Sequence, residues 1–183
     1  MKTILLNLES RPDRLKRSVD ELGKFGIDQI EIFKAHTGGH SGFNKSMHEI
    51  VMSDGEMLVV EDDIKLIGNV SDLIAAKKQL PDDWDMLYLG ANLLEPCPKY
   101  DTRINRLTSA WTTHAILYSV KGSDYCAKFY DYSLVYDEWL RRVAQNRLKC
   151  FVMNPLIAFQ HPDISDLTGQ YSDYDLTDKG MLI

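Results

Sequence analysis

The sequence is poor in cysteine: Cys97, Cys126 and Cys150 are its three thiols in 183 residues. They are odd in number, far apart and form no C-x-x-C pair, which argues against a disulfide framework or a structural zinc site. It also lacks a basic excess. Asp and Glu number 27 against 21 Lys and Arg, giving a net charge of −6, the wrong balance for a nucleic-acid binder. No stretch approaches the roughly 20 apolar residues of a membrane span. The apolar start, MKTILLNL, is too short for a secretory signal and runs straight into a polar, Arg-rich segment. These absences point to a cytoplasmic protein, with peripheral contact to a membrane surface left open. No repeat, low-complexity tract or linker divides the chain. One domain over residues 1–183 is therefore expected, with a flexible tail over 168–183.

What is present alternates between strand and helix patterns. Thr3–Leu8 reads as a buried strand. Ser10 is the expected N-cap of a helix with Pro12 in its first turn and Leu15, Val19 and Leu22 on one face, ended by Gly23 or Gly26. Gln29–Ala35 alternates as a second strand, and His36–Gly42 is a glycine-rich loop before a helix over Phe43–Met52. Met57–Val60 is a short buried strand, Val70–Leu80 a helix and Trp84–Leu89 another strand. Residues 91–110 show no clear pattern. Ala115–Ser119 reads as a strand, Gly122–Tyr132 and Asp137–Asn146 as helices, and Cys150–Met153 as a last strand. This succession implies an α/β fold.

Five polar constellations interrupt the pattern. Glu61-Asp62-Asp63 directly follows the Met57–Val60 strand. Adjacent carboxylates repel one another, and carboxylates beyond a strand end can hold Mg²⁺ or Mn²⁺ against phosphate oxygens; a solvated acidic turn is the competing reading. Strand alternation sends Glu61 and Asp63 to one side and Asp62 to the other. Asn7 precedes Arg11 and Arg14, which share one side of the first helical turn and can grip a phosphate or a base edge; a solvated helix start is the alternative. Thr113 and His114 lead into an apolar strand, with His114 a base, a substrate contact or a satisfied core histidine. Asp137 and Glu138 sit in the first turn of a helix, where the dipole favours anions, or act on an acceptor hydroxyl. Gln160, His161, Ser165 and Asp166 crowd together late in the chain, with His161 a nitrogen ligand for the metal or an exposed loop histidine.

Taken together, the motifs resemble glycosyltransferase family 25. Leu6-Asn7-Leu8-Glu9-Ser10-Arg11-Pro12-Asp13-Arg14 is similar to its "INL-x-x-RPDR" opening, and Leu58-Val59-Val60-Glu61-Asp62-Asp63 to its strand ending in "EDD". Trp84–Gly90 matches "WD-x-L-x-LG", Thr113–Ser119 matches "T-x-A-Y-x-x-S", and Pro155, Gln160, Ser165 and Asp166 follow the order of the late "P-x-x-x-x-Q … SD". The chain departs from the family at Met47 and Ile116, where the family has histidine and tyrosine, and its 91–110 loop is abbreviated.

The resemblance implies a GT-A-like domain with a mixed, mostly parallel sheet flanked by helices. It implies transfer of a hexose, galactose favoured, from a UDP-sugar to a hydroxyl of a glycan, lipid-linked saccharide or protein, with Mn²⁺ or Mg²⁺ and with inversion. In that reading Glu61, Asp63 and His161 serve the metal. Asn7, Arg11, Arg14, Asp62, Thr113, His114, Gln160, Ser165 and Asp166 bind the donor. Asp137 is the acceptor base, with Glu138 second. The alternatives are a catalytically reduced nucleotide-sugar or glycan binding module of the same fold, or another metal-dependent nucleotidyltransferase or phosphohydrolase.

Overall fold

The computed structural model describes residues 2–167, 169–172 and 180–183. The chain opens with β1 (Lys2–Asn7), α1 (Pro12–Phe25), β2 (Glu31–Lys34), α2 (His40–Val51) and β3 (Met57–Glu61). It continues through β4 (Ile64–Leu66), α3 (Val70–Lys77), β5 (Met86–Tyr88), β6 (Asn92–Leu93), β7 (Ile104–Arg106), β8 (Ala110–Trp111) and β9 (Ala115–Tyr118). Then come α4 (Val120–Phe129) and α5 (Tyr136–Trp139), which runs on as a π-helical turn over Leu140–Ala144. The last elements are β10 (Cys150–Met153), β11 (Ala158–Gln160), β12 (Asp163–Ile164) and β13 (Tyr171–Ser172).

Seven strands form the main sheet in the order β2-β1-β3-β9-β5-β10-β7. The β2–β1, β1–β3 and β5–β10 pairs are parallel; the pairs made by β9 and by β7 are antiparallel. Five strands therefore point one way and two the other: a mixed, mostly parallel sheet, as the sequence implied. Strand alternation divides the core in two. On one face Met57, Val59, Met86, Tyr88, Ile116 and Val152 pack with Phe43 and Met47 of α2 and Trp139 of α5. On the other, Leu58, Val60, Leu87, Leu117 and Phe151 pack with Leu22 and Phe25 of α1 and Leu73 of α3. Each central strand buries side chains on both faces, which is why these strands read as unbroken apolar runs. The three cysteines are free and buried.

Several boundaries move. Ser10 is not the cap of α1: Arg11 occupies that position and no side chain caps the helix. Pro12 sits at the first helical position, where its fixed φ starts the turn and its missing N–H needs no partner. The second strand is shorter than expected and lies at the sheet edge, with Ile32 48% exposed. The glycine-rich loop is shorter too, since α2 begins at His40. Gly42 makes this possible: a Cβ there would lie 2.3 Å from the His36 carbonyl oxygen. Residues 91–110, unreadable as a pattern, hold the two-residue β6–β8 pair and the edge strand β7. Of the tail expected over 168–183, Thr168 and residues 173–179 lie outside the described residues. Tyr171–Ser172 pair with Asp163–Ile164, and Leu182 forms a bridge to Cys97. Among the described residues no helix is long and apolar enough to cross a membrane.

Candidate functional site

The parallel strands β1, β2 and β3 end side by side, with Leu6 level with Glu61 and Asn7 level with Lys34. Beyond these ends lies a cavity of about 240 Å³, where ligands of open α/β sheets bind. Leu8 after β1, His36–Gly39 after β2 and Glu61–Asp63 after β3 line its floor. Gln160 at the end of β11, His161, Asp163 and Ser165–Leu167 line the rest of it.

The acidic triplet is neither a strand end running into open solvent nor a helix cap. Asp62 and Asp63 form the turn between β3 and β4, and β4 pairs with β11 so that Ile64 faces Gln160. That pairing brings Gln160 Nε2 to donate to Asp63 Oδ2 at 3.0 Å, while Thr113 Oγ1 donates to Glu61 Oε1 at 2.6 Å. Asp62 turns the other way and accepts from Asn7 Nδ2 at 2.7 Å and Arg14 Nη1 at 3.3 Å. Burial raises the Glu61 carboxyl above its ordinary range, and the charge of Asp63 raises it further. Burial and the charge of Asp62 raise Asp63 in the same direction. Two carboxyls held this way favour a nearby cation.

The donor chemistry fits a divalent metal. Asp63 Oδ1 and Gln160 Oε1 are buried without a hydrogen-bond partner among the described residues. With Glu61 they make an oxygen set of two carboxylates and an amide carbonyl, suited to a hard cation that keeps places for phosphate and water. Among the described residues no group of three His, Cys, Asp or Glu side chains is arranged to hold a metal. His161 lines the same cavity, and its Nε2 is buried without a hydrogen-bond partner among the described residues, like the Asp63 and Gln160 oxygens. Its backbone N–H donates to the Asp63 carbonyl at 2.7 Å, and burial, followed by the charges of Arg17 and Lys65, holds the ring below its usual pKa.

The two arginines expected to hold the donor are already engaged. Arg11 pairs with Asp13, Asp163 and Asp166 at 3.1, 3.0 and 2.7 Å. Arg14, buried, pairs with Asp62, Asp163 and Asp166 at 3.3, 3.1 and 3.1 Å and donates from Nη2 to the Ile164 carbonyl at 2.6 Å. The segment 163–167 thus forms an acidic strap across the cavity. Ser165 lines the cavity, its Oγ accepting from the Leu167 N–H at 3.3 Å. Asp163 was missed in the sequence reading; the signal for it was the crowding of aspartates downstream of an arginine-rich helix start.

His114 is a satisfied core histidine. It is fully buried, with Nδ1 3.1 Å from Thr112 Oγ1 and Nε2 3.2 Å from the Ala158 carbonyl. Burial lowers its pKa to about 4, so the ring is neutral. Gly90 packs beside it, where a Cβ would lie 1.8 Å from the Ala158 oxygen.

Asp137 and Glu138 part company. The Asp137 carboxyl is raised mainly by burial and lies in the field of Glu61 and His40. Glu138 is held by Arg141 through two bonds of 2.7 Å, by Arg142, and by Trp111 Nε1 at 2.8 Å. Hydrogen bonding from Arg141 leads in lowering its pKa to about 2. Neither residue lines the cavity at the strand ends.

The chain matches no protein-family model and no curated protein. The crystal structure of A197 from STIV is similar over 95% of this chain and 96% of that one, with a TM-score of 0.59 at 11% identity. A CTP:phosphocholine cytidylyltransferase from Streptococcus pneumoniae is similar over 87% of this chain and 92% of that one, with a TM-score of 0.49 at 8% identity. A Drosophila galactosyltransferase in complex with manganese, UDP-Gal and xylobiose is similar over 93% of this chain and 69% of that one, with a TM-score of 0.48 at 13% identity. The likeness to A197 shows that this chain shares its α/β fold along nearly its whole length.

Proposed function

We propose that this protein is a glycosyltransferase that takes a hexose, galactose favoured, from a UDP-sugar and passes it to a hydroxyl acceptor with the help of Mn²⁺ or Mg²⁺. One observation carries the reading: two buried carboxyls with raised pKa values and an unpartnered amide oxygen converge at the ends of three parallel strands, beside Arg14. The motif resemblance to glycosyltransferase family 25 supports it at the same residues.

Asn7 and Arg14 fix Asp62 so that its remaining acceptor capacity faces the cavity and can orient a ribose or sugar hydroxyl. Glu61, Asp63 and Gln160 hold the cation, which supplies charge neutralisation for the leaving diphosphate. Arg11 and Arg14 favour the diphosphate once the strap is displaced. The cavity is smaller than the roughly 300–1,000 Å³ of typical ligand sites, so a donor of this size needs 163–167 to shift. Asp137, raised by burial, takes the acceptor proton.

A second reading is nucleotidyl transfer from a nucleoside triphosphate. The turn Gly38-Gly39 favours it: both glycines have positive φ, line the cavity and precede α2, where backbone N–H groups can cradle phosphates. Thermal-shift titrations of UDP-galactose, UDP-glucose, UTP and CTP, each with and without Mn²⁺, separate the two. Metal-dependent stabilisation by the UDP-sugars, lost in Asp63→Ala, is the expected outcome. Stabilisation by the triphosphates alone supports nucleotidyl transfer, and no nucleotide effect at any metal concentration rejects both.

A further inference from the structure

We propose that Trp111 is the stacking platform for the pyranose ring of a sugar acceptor, and that Glu138 and Arg141 hold its indole in place for that purpose. The inference rests on the transfer reading above, but its residues lie outside the donor cavity. Trp111 is 41% exposed although its strand is paired and its neighbour Ala110 is buried. An exposed tryptophan normally keeps several side-chain orientations. This one is fixed twice: its Nε1 donates to Glu138 Oε2 at 2.8 Å, and the Arg141 guanidinium lies 5.5 Å from the ring centroid. The same carboxylate accepts from Arg141 and Arg142, so the positions of indole and arginines are coupled. A ring fixed in its plane and still partly open to solvent is preorganised for stacking.

The backbone beside it carries strain of the kind found at binding sites. Thr112 is β-branched, yet its φ is +75°, a conformation such residues rarely adopt. The kink separates an outward and an inward role on residues two apart. Trp111 is exposed, whereas Thr113 is buried and donates to Glu61 Oε1 at 2.6 Å. Thr112 Oγ1 stabilises the kink by accepting from the Asn92 N–H at 3.3 Å. Two residues of chain span at most ~7 Å, which bounds the separation of the Trp111 backbone from Thr113, the residue bonded to Glu61. Asp137 precedes Glu138 in the same helical turn. The chemistry matches the ligand: the face of the indole opposite the Arg141 guanidinium suits the C–H side of a pyranose.

The full-length protein is titrated with methyl β-D-galactopyranoside and methyl β-D-glucopyranoside, with galactitol as an open-chain control, while the tryptophan indole N–H signals are followed by NMR. Trp111→Phe assigns the Trp111 signal. The expected result is a shift of that signal by at least one pyranoside and none by galactitol. Trp111→Ala should raise the half-saturating pyranoside concentration by about tenfold, Trp111→Phe by much less, and UDP binding should change less than twofold in both. Glu138→Ala should weaken pyranoside binding in the same direction, because it removes the acceptor of the indole N–H. A Trp111 signal indifferent to every pyranoside overturns the proposal. So does pyranoside binding unchanged in Trp111→Ala, or an equal loss of UDP binding, which marks a purely structural tryptophan. If wild-type protein binds no UDP while pyranosides still shift the Trp111 signal, the transfer reading fails and the sugar subsite stands.

Discussion

Arg14 and Asp62 form an ion pair at 3.3 Å that is almost closed to water, their side chains 6% and 11% exposed. It joins the first helix to the acidic turn across 48 residues of sequence. A buried pair is costly to break because the surviving charge is left without compensation. Arg14→Ala leaves Asp62 with Asn7 as its remaining side-chain donor. The expected loss is about 3 kcal/mol in urea denaturation at pH 7. The loss should shrink as pH falls, because burial raises the Asp62 carboxyl and, without Arg14 to hold it ionised, it takes up a proton in the variant. A loss that is small and independent of pH would show that the pair does not hold the turn.

The strap gives the arginines a second set of partners. Asp163 and Asp166 occupy the guanidinium groups that a diphosphate would use. If the strap competes with the donor, Asp163→Asn with Asp166→Asn strengthens UDP binding by several-fold and steepens its dependence on salt. If Ser165 and Asp166 bind the donor themselves, as the family resemblance implies, the same variant weakens it. Isothermal calorimetry at two ionic strengths distinguishes the two.

The sequence showed the strands well and the site in fragments. Val59 and Val60 lie in a run buried on both faces, and such runs are visible as composition. The grouping of Glu61–Asp63 with Asn7 and Arg14 was also legible, through motif order. What was hidden depends on pairing between distant segments. The β4–β11 ladder, which turns the triplet back and brings Gln160 to Asp63, rests on two three-residue strands with no pattern of their own. Burial of His114 could not be told from its neighbours, since Thr-Thr-His is polar in sequence and lies under Ala158 only in the fold. The pairing of Arg11 and Arg14 with their own chain's acids follows from a contact across about 150 residues, which no local signal carries.

Metal binding should depend on pH in a defined direction. Burial holds the Glu61 and Asp63 carboxyls partly protonated, at about 8 and about 6. A cation must displace those protons, so affinity rises as pH rises. Without metal the sign for stability is opposite. Raised carboxyl pKa values contribute stability below their unfolded values near 4, and this is lost as pH climbs through the folded ones. The melting temperature without metal should therefore fall from pH 5 to 8, and the stabilisation by Mn²⁺ should grow over the same range. Glu61→Gln should flatten both trends. A Mn²⁺ effect that is the same at pH 5.5 and 8 would remove these carboxyls from the metal site.

The adjacent acids Asp137 and Glu138 offer the clearest division of labour. A base must be able to accept a proton near the working pH. Burial raises Asp137 toward that condition, whereas Arg141 and its neighbours hold Glu138 at about 2. Asp137→Asn is expected to keep UDP-sugar binding and to lose transfer by at least 10²-fold in kcat. Glu138→Gln should act on KM for the acceptor, with kcat at saturating acceptor far less affected. Its effect on stability has its own signature. A depressed carboxylate pKa contributes stability above its unfolded value near 4.5, and this is lost as pH falls toward 2. The stability difference between wild type and Glu138→Gln should be about 1 kcal/mol at neutral pH and vanish in acid. Loss of kcat in Glu138→Gln, with Asp137→Asn still active, would exchange the two roles.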